Sequence, residues 1–325
     1  MASKTLTADV LRDAVDLACR APSYHNSQPW HWVADGTELQ LFLDPGRVVE
    51  TDHGGRQALL SCGAVLDHIQ VSMAAQGWRA HVELLPNPNN LDHLARLGFT
   101  ELVAVTDGQR LLAEAIRRRR SDRLPFGPVQ DWDGFEARLR SRIETSIALL
   151  DVIDDANRPQ LTAATEFVDA LRLYDSQYFH TLQWWTSPYD AGEGVPYSAL
   201  ISAAEDDRVG VGRTFPVTIH SNRREQIPED RSTIVVLSAH DDTRRDILAC
   251  GSALSTVLLE ATLAGLASCP LTHLTEMATG RHIVSQLTGR EWPQVLVRIG
   301  QAPAGEESPP LTRRRPLADV LTVTA

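Results

Sequence analysis

The chain has 325 residues, a formal charge of −11 and 43% hydrophobic residues, enough to bury a full core as one large or two modest domains. The acidic balance excludes nucleic acid or an anionic membrane as the main partner. No run of about 18 apolar residues predicts a membrane span, and the N-terminus lacks a signal peptide's basic and apolar regions, so a cytoplasmic protein is expected. Lys4 is the only lysine among 31 basic residues. Walker-type phosphate loops and Schiff-base catalysis both need a lysine in the site, so phosphate recognition here falls to guanidinium groups.

From Thr7 to Cys19 the residues Val10, Leu11, Ala14, Val15, Leu17 and Ala18 fall on one helical face, and Pro22 ends the helix. The loop Ala21-Pro22-Ser23-Tyr24-His25-Asn26-Ser27-Gln28-Pro29-Trp30 follows. Its Ser23, Asn26 and Gln28 offer donors and acceptors together, Pro29 fixes the exit and Trp30 anchors it. A polar turn closed by a core tryptophan is the plain alternative. Cys62-Gly63-Ala64-Val65-Leu66 opens a helix running to Gly77, and Cys250-Gly251-Ser252-Ala253-Leu254 opens one running to Gly265, an offset of 188. Both read apolar nearly all round, which predicts burial. Strand-like runs follow at Leu102–Val105 and Val295–Ile299. The pattern is that of a duplication, or of two unrelated core helices that share a Cys-Gly start. Cys19, Cys62, Cys250 and Cys269 show no CxxC spacing and read as reduced core thiols.

Between the repeats, Arg117-Arg118-Arg119-Arg120-Ser121-Asp122-Arg123-Leu124-Pro125-Phe126 has three readings: a solvated helix end, a nucleic-acid patch that the overall charge opposes, or Arg, Ser and Arg at alternate positions converging on one phosphate. A helix is expected from Pro128 into Ile143, a strand at Ile147–Val152 and a long helix from Gln160 to about Trp185. Residues 186–231 are rich in Pro, Gly, Asp and Arg and include Tyr189, Tyr197 and Phe215; a loop this long is a lid or a surface excursion. A strand at Thr233–Leu237, the second Cys-Gly helix, Ser268-Cys269-Pro270-Leu271-Thr272-His273 and an arginine-rich segment from Pro309 to Pro316 complete the chain. His25 and His31 are the nearest approach to a metal pair, with no HExxH, and no Gly-x-Ser-x-Gly elbow occurs.

The loop at residues 21–30 resembles the flavin-cradling segment of the nitroreductase superfamily. Arg119, Ser121 and Arg123 resemble that family's Arg-x-Ser-x-Arg grip on the FMN phosphate, with a one-residue shift left open by the repeated arginines. Pro270, Leu271 and Thr272 match the strand that passes the flavin N5 and O4 edge, although many catalytic members carry a carboxylate and a glycine where Thr272 and His273 stand. Arg313-Arg314-Arg315-Pro316 is similar to the family's closing basic motif. The first part of the chain has the loop without the Arg-x-Ser-x-Arg element and the second has the reverse, a division that resembles the Acg-like actinobacterial branch.

That resemblance implies an α+β fold with mixed, largely antiparallel sheets flanked by helices. It implies two tandem halves, residues 1–108 and 109–325, forming an intramolecular pseudo-dimer, the second half with a lid-like insertion at about 186–231. One FMN per chain is implied, its phosphate on Arg119, Ser121, Arg123, Arg313 and Arg315, the rest contacted by Pro22, Ser23, Tyr24, His25, Asn26, Gln28, Pro270, Leu271 and Thr272. The expected function is FMN storage or sequestration under the lid, with slow or no turnover. The alternative is an NAD(P)H-dependent reductase passing hydride through flavin N5 to a small nitro or quinone substrate, which needs no side-chain acid or base. A flavin-free regulatory protein fits less well, because the phosphate-gripping residues are kept.

Overall fold

The computed structural model describes residues 5–186, 193–216, 218, 222–306 and 310–324. Tyr189 and Pro309 lie outside them. Helix α1 (Ala8–Ala18) is capped by the Thr7 hydroxyl, which accepts from the Val10 N–H, and buries the expected apolar face through Leu11, Ala14, Val15, Leu17 and Ala18. Strands β1 (Trp30–Asp35) and β2 (Glu38–Leu43) form an antiparallel pair. Their inward residues alternate, and Trp30, Trp32, Leu39 and Leu41 are fully buried.

Helix α2 (Arg56–Ala75) starts six residues before Cys62, just after its cap Gly55 in the left-handed region. Strands β3 (Trp78–Leu84) and β4 (His93–Glu101) follow. The strand expected at Leu102–Val105 is therefore displaced: Leu102 follows the end of β4, and Val103 projects fully into solvent. Helix α3 (Asp107–Arg118) has a capping box from Thr106 and Gln109.

Next come α4 (Trp132–Arg142) and β5 (Leu149–Ile153). The long helix expected from Gln160 to Trp185 is two helices, α5 (Arg158–Arg172) and α6 (Ser176–Trp185). Asp175 breaks it by accepting from the Tyr178 N–H, a local bond that begins a new helix. Within residues 193–216 a short helix, α7 (Ala203–Asp206), is held by a capping box from Ser202 and Glu205.

Strand β6 (Thr233–Ala239), helix α8 (Arg244–Leu263), strand β7 (Ala267–Leu271) and the short helix α9 (His273–Glu276) lead to α10 (Ala278–Thr288) and β8 (Trp292–Gly300). As with α2, α8 begins before its Cys-Gly pair, at the Thr243 cap. The chain ends in α11 (Leu317–Val320) and β9 (Leu321–Thr324).

One sheet has the order β3-β4-β2-β1-β9 and the other β5-β6-β8-β7. All pairs are antiparallel except β9 with β1. The fold is α+β, with the two sheets flanking the central helices α2 and α8.

These helices are long and apolar enough to cross a membrane by composition, contrary to the reading of the sequence, but most of each is buried within the protein. They cross at the paired glycines. A Cβ on Gly63 would stand 2.1 Å from the Leu248 carbonyl oxygen, and one on Gly251 2.2 Å from that of Leu60. Backbone contact this close requires glycine on both sides. All four cysteines are free and buried, and burial pushes the Cys19 and Cys250 thiols up to about 12.

Candidate functional site

The loop after α1 is shaped by backbone that few side chains tolerate. His25, Asn26 and Gln28 have φ of 51°, 59° and 52°, the left-handed region that disfavours non-glycine residues. Local bonds hold it: Gln28 N donates to Ser23 Oγ (3.1 Å), and Tyr24 N donates to Ser61 Oγ on α2 (3.0 Å). The Asn26 amide donates to the carbonyls of Gly194 (3.0 Å) and Arg313 (3.2 Å), joining three segments at one side chain. Its Oδ1 is buried with no partner.

A cleft runs along this loop, lined by α2 and α8 residues, by β7 and by residues between 194 and 215. One end is strongly basic. Arg20, Arg119, Arg120 and Arg314 line it together with Ser121. Arg120 Nη1 donates to the carbonyls of Arg117, Arg118 and Arg119 at the end of α3, and Arg314 donates to those of Cys19 and Arg20 at the end of α1. Each thereby meets the negative end of a helix dipole. Among the described residues no carboxylate forms an ion pair with any of the four. Burial, then the neighbouring guanidiniums, pulls Arg119 down to about 10 and Arg314 to about 9. The Nε atoms of Arg119 and Arg120 are buried without hydrogen-bond partners. This is the electrostatic complement of a dianion, and a phosphate would accept from both.

The other end is aromatic and closely paired. Arg123 lies 4.9 Å over the Phe215 ring and donates to Ala199 O (3.3 Å). His25 packs edge-on to the same ring at 6.3 Å and stays neutral, its pKa held far down by burial and then by Arg213. Glu276, at the end of α9, pairs with Arg172 at 2.9 Å and with Arg213, and accepts from Thr272 Oγ1 at 2.6 Å. Although burial opposes it, the two guanidiniums hold the carboxyl well below the usual carboxylate range. His273 turns away from the cleft toward Thr165 Oγ1 (3.2 Å), and burial pushes it down to about 3.

Of the residues singled out in the sequence, Pro22, Ser23, Tyr24, His25, Asn26, Arg119, Ser121, Arg123, Pro270, Leu271 and Thr272 line this one cleft. Gln28, Arg313 and Arg315 do not. Gln28 is buried and its Oε1 accepts from Arg315 N (2.9 Å), while the Arg315 guanidinium faces Asp44 (3.3 Å). Arg314 takes the cleft-facing position instead. In an extended chain neighbouring side chains point to opposite sides, and three consecutive arginines carry no mark of which phase faces in. Arg20, Arg213, Glu276 and the α2 residues Gln57 and Ser61 were also missed; Arg213 and Glu276 meet across 63 residues with no local motif to announce them.

No family model matches the chain. Over 327 residues it is 52% identical to a Mycobacterium tuberculosis protein named, provisionally, NAD(P)H nitroreductase acg, covering all of this chain and 99% of that one. An uncharacterized protein of the same organism is 48% identical over 320 residues, covering 97% and 93% of the two chains. Among solved structures, the FMN-dependent nitroreductase NfnB from Mycobacterium smegmatis in complex with NADPH aligns with 67% of this chain and 100% of its own at 17% identity and a TM-score of 0.45. The chain belongs to the nitroreductase superfamily, in its Acg-like actinobacterial branch.

Proposed function

We propose that the cleft holds one FMN, and that the protein stores or sequesters it with slow or no turnover. The observation that carries this is the cluster of buried Arg119 with half-buried Arg20, Arg120 and Arg314, which no carboxylate among the described residues pairs. These residues and the Ser121 hydroxyl would hold the phosphate. Ser23, Asn26 and Arg123 would face the remainder, with Pro270 to Thr272 along its edge. Gln28 and Arg315 act from behind, fixing the C-terminal segment so that Arg314 reaches the cleft. Bound FMN would supply one- and two-electron redox chemistry; the chain binds it, orients it and keeps solvent away. The exclusion rests on a cover formed by residues between 194 and 215, which line the cleft and are tied to the loop through Asn26 and to Arg123 through Ala199.

A pseudo-dimeric origin of residues 1–108 and 109–325 is supported by the central crossing. Besides Gly63 against Gly251, the Ser255 hydroxyl donates to Asp67 at 2.5 Å, again a pair 188 apart.

The names of the relatives favour a second reading, an NAD(P)H-dependent nitroreductase, and the same flavin chemistry would serve a quinone. Anaerobic mixing of FMN-loaded protein with excess NADH or NADPH, followed by flavin absorbance, separates the two. Bleaching by a small inorganic reductant alone supports storage, and bleaching by NAD(P)H within seconds supports the reductase. Protein that stays colourless after incubation with FMN overturns both.

A further inference from the structure

Gly212, Arg213 and Phe215 of the cover line the cleft. Val211 is fully buried in the core beside α5, and Gly210, at φ 69°, turns the chain just before it. Beyond Val211 the chain is fixed by one side chain above all. Arg213 is buried; its Nη1 donates to the Tyr178 hydroxyl of α6 at 2.9 Å and its Nη2 to Glu276, with Thr272 Oγ1 at 3.5 Å. The guanidinium lies 5.5 Å from the centre of the Tyr24 ring, so it joins the cover, the loop, α6 and the end of β7 at one point. Thr214 adds a bond to Asp169 of α5 at 2.7 Å, and Phe215 then turns back over His25 and Arg123.

We propose that Arg213 is a latch: its fork between Glu276 and Tyr178 keeps the cover shut and so decides which reductants reach the ligand beneath. The proposal deepens the FMN reading and rests on it for the identity of that ligand. The latch itself does not depend on it, since every contact is made by the chain alone.

Two features make the latch separable from the fold. Glu276 is shared, so removing Arg213 leaves its carboxylate paired with Arg172 and accepting from Thr272, and no orphaned buried charge results. The neighbouring apolar anchors, Ile201 and Val209 against Leu124, lie on the near side of Gly210 and are unaffected. The charge also suits a switch of access more than a titration. Arg213 and Arg172 hold the Glu276 carboxyl well below the usual carboxylate range, which favours the ionised, paired form on mild acidification.

The test uses full-length Arg213→Met, with Arg290→Met as a control that removes a surface ion pair to Asp151. Amide hydrogen exchange is measured first on protein never exposed to FMN. Exchange in residues 198–216 rising by about tenfold or more, with α2 and α8 unchanged, is expected for Arg213→Met and not for the control. Cover exchange equal to that of the parent overturns the latch. Should Arg213→Met also loosen α2 and α8, Arg213→Lys decides: it keeps the charge but replaces the two-nitrogen fork, Nη1 to Tyr178 and Nη2 to Glu276, with a single nitrogen, and must still free the cover. The second arm loads FMN and follows anaerobic bleaching by NADPH, expected at least about tenfold faster in Arg213→Met if the cover excludes dinucleotides. An unchanged rate with a freed cover overturns the control of access. Failure of parent and variant alike to bind FMN removes the functional reading, and the exchange result then judges the latch by itself.

Discussion

A guanidinium buried away from carboxylates destabilises the folded state until an anion joins it, and Arg119 is in that position beside Arg20, Arg120 and Arg314. Replacing it with methionine keeps much of the packing volume and removes the repulsion. Arg119→Met is therefore expected to raise the stability of the FMN-free protein by about 1–2 kcal/mol while weakening FMN binding by about tenfold or more. Denaturant titration of the free protein and fluorescence titration with FMN check the two halves of this prediction. Loss of stability together with unchanged affinity would place the phosphate elsewhere. At this scale the spacing was informative in part: Arg119, Ser121 and Arg123 all line the cleft, but Arg123 sits over Phe215 at the other end and does not converge with Arg119 as the alternate positions suggested. The sequence marked the C-terminal arginine run, but Arg313 and Arg315 were chosen over Arg314, because the phase of an extended run is set by packing against the carbonyls of Cys19 and Arg20, nearly 300 residues away.

Helices α2 and α8 were legible because each is apolar on every side, a pattern that only burial satisfies. Their starts were misplaced because the Cys-Gly pairs mark the crossing point and not the first turn. That difference makes a prediction. Gly63→Ala places a methyl 2.1 Å from the Leu248 carbonyl and 2.8 Å from the Gly251 Cα, atoms of backbone that cannot step aside singly. The helices must separate, at a cost of about 3 kcal/mol, read as a lowered denaturation midpoint. By contrast, Gly98→Ala in β4 meets nothing within 4 Å and should change stability little. Equal effects would mean that α2 and α8 do not cross this closely. Other elements left weaker traces. The four residues of β9 pair with β1 across most of the chain, and no local periodicity specifies such a partner. The break between α5 and α6 depends on a single side-chain bond at Asp175, too small a signal to interrupt an otherwise helical pattern.

At the scale of the whole molecule the two sides of the α2–α8 crossing are unequal, and the inequality bears on stoichiometry. The α2 residues Gln57, Leu60 and Ser61 line the cleft. Moving along the sequence by 188, the spacing of the two Cys-Gly pairs, gives Arg245, Leu248 and Ala249 on α8, where a second cleft would lie if the proposed halves were equivalent. There Arg245 donates to the Leu84 carbonyl at 3.0 Å and Arg244 to that of Leu91 at 2.7 Å, so the turn joining β3 to β4 is bound across the opening. Arg244 also faces Asp92 at 4.0 Å, which gives this side the carboxylate that the arginine cluster lacks. An anion arriving here would compete with a neighbour already in place, whereas at Arg119 it would relieve repulsion. The protein should therefore take up FMN at one equivalent per chain, with flavin fluorescence titration showing a single break. A break at two equivalents would require a second phosphate site of comparable strength; if Arg244→Ala together with Arg245→Ala then removed only the second equivalent, the asymmetry argued from these contacts would be wrong.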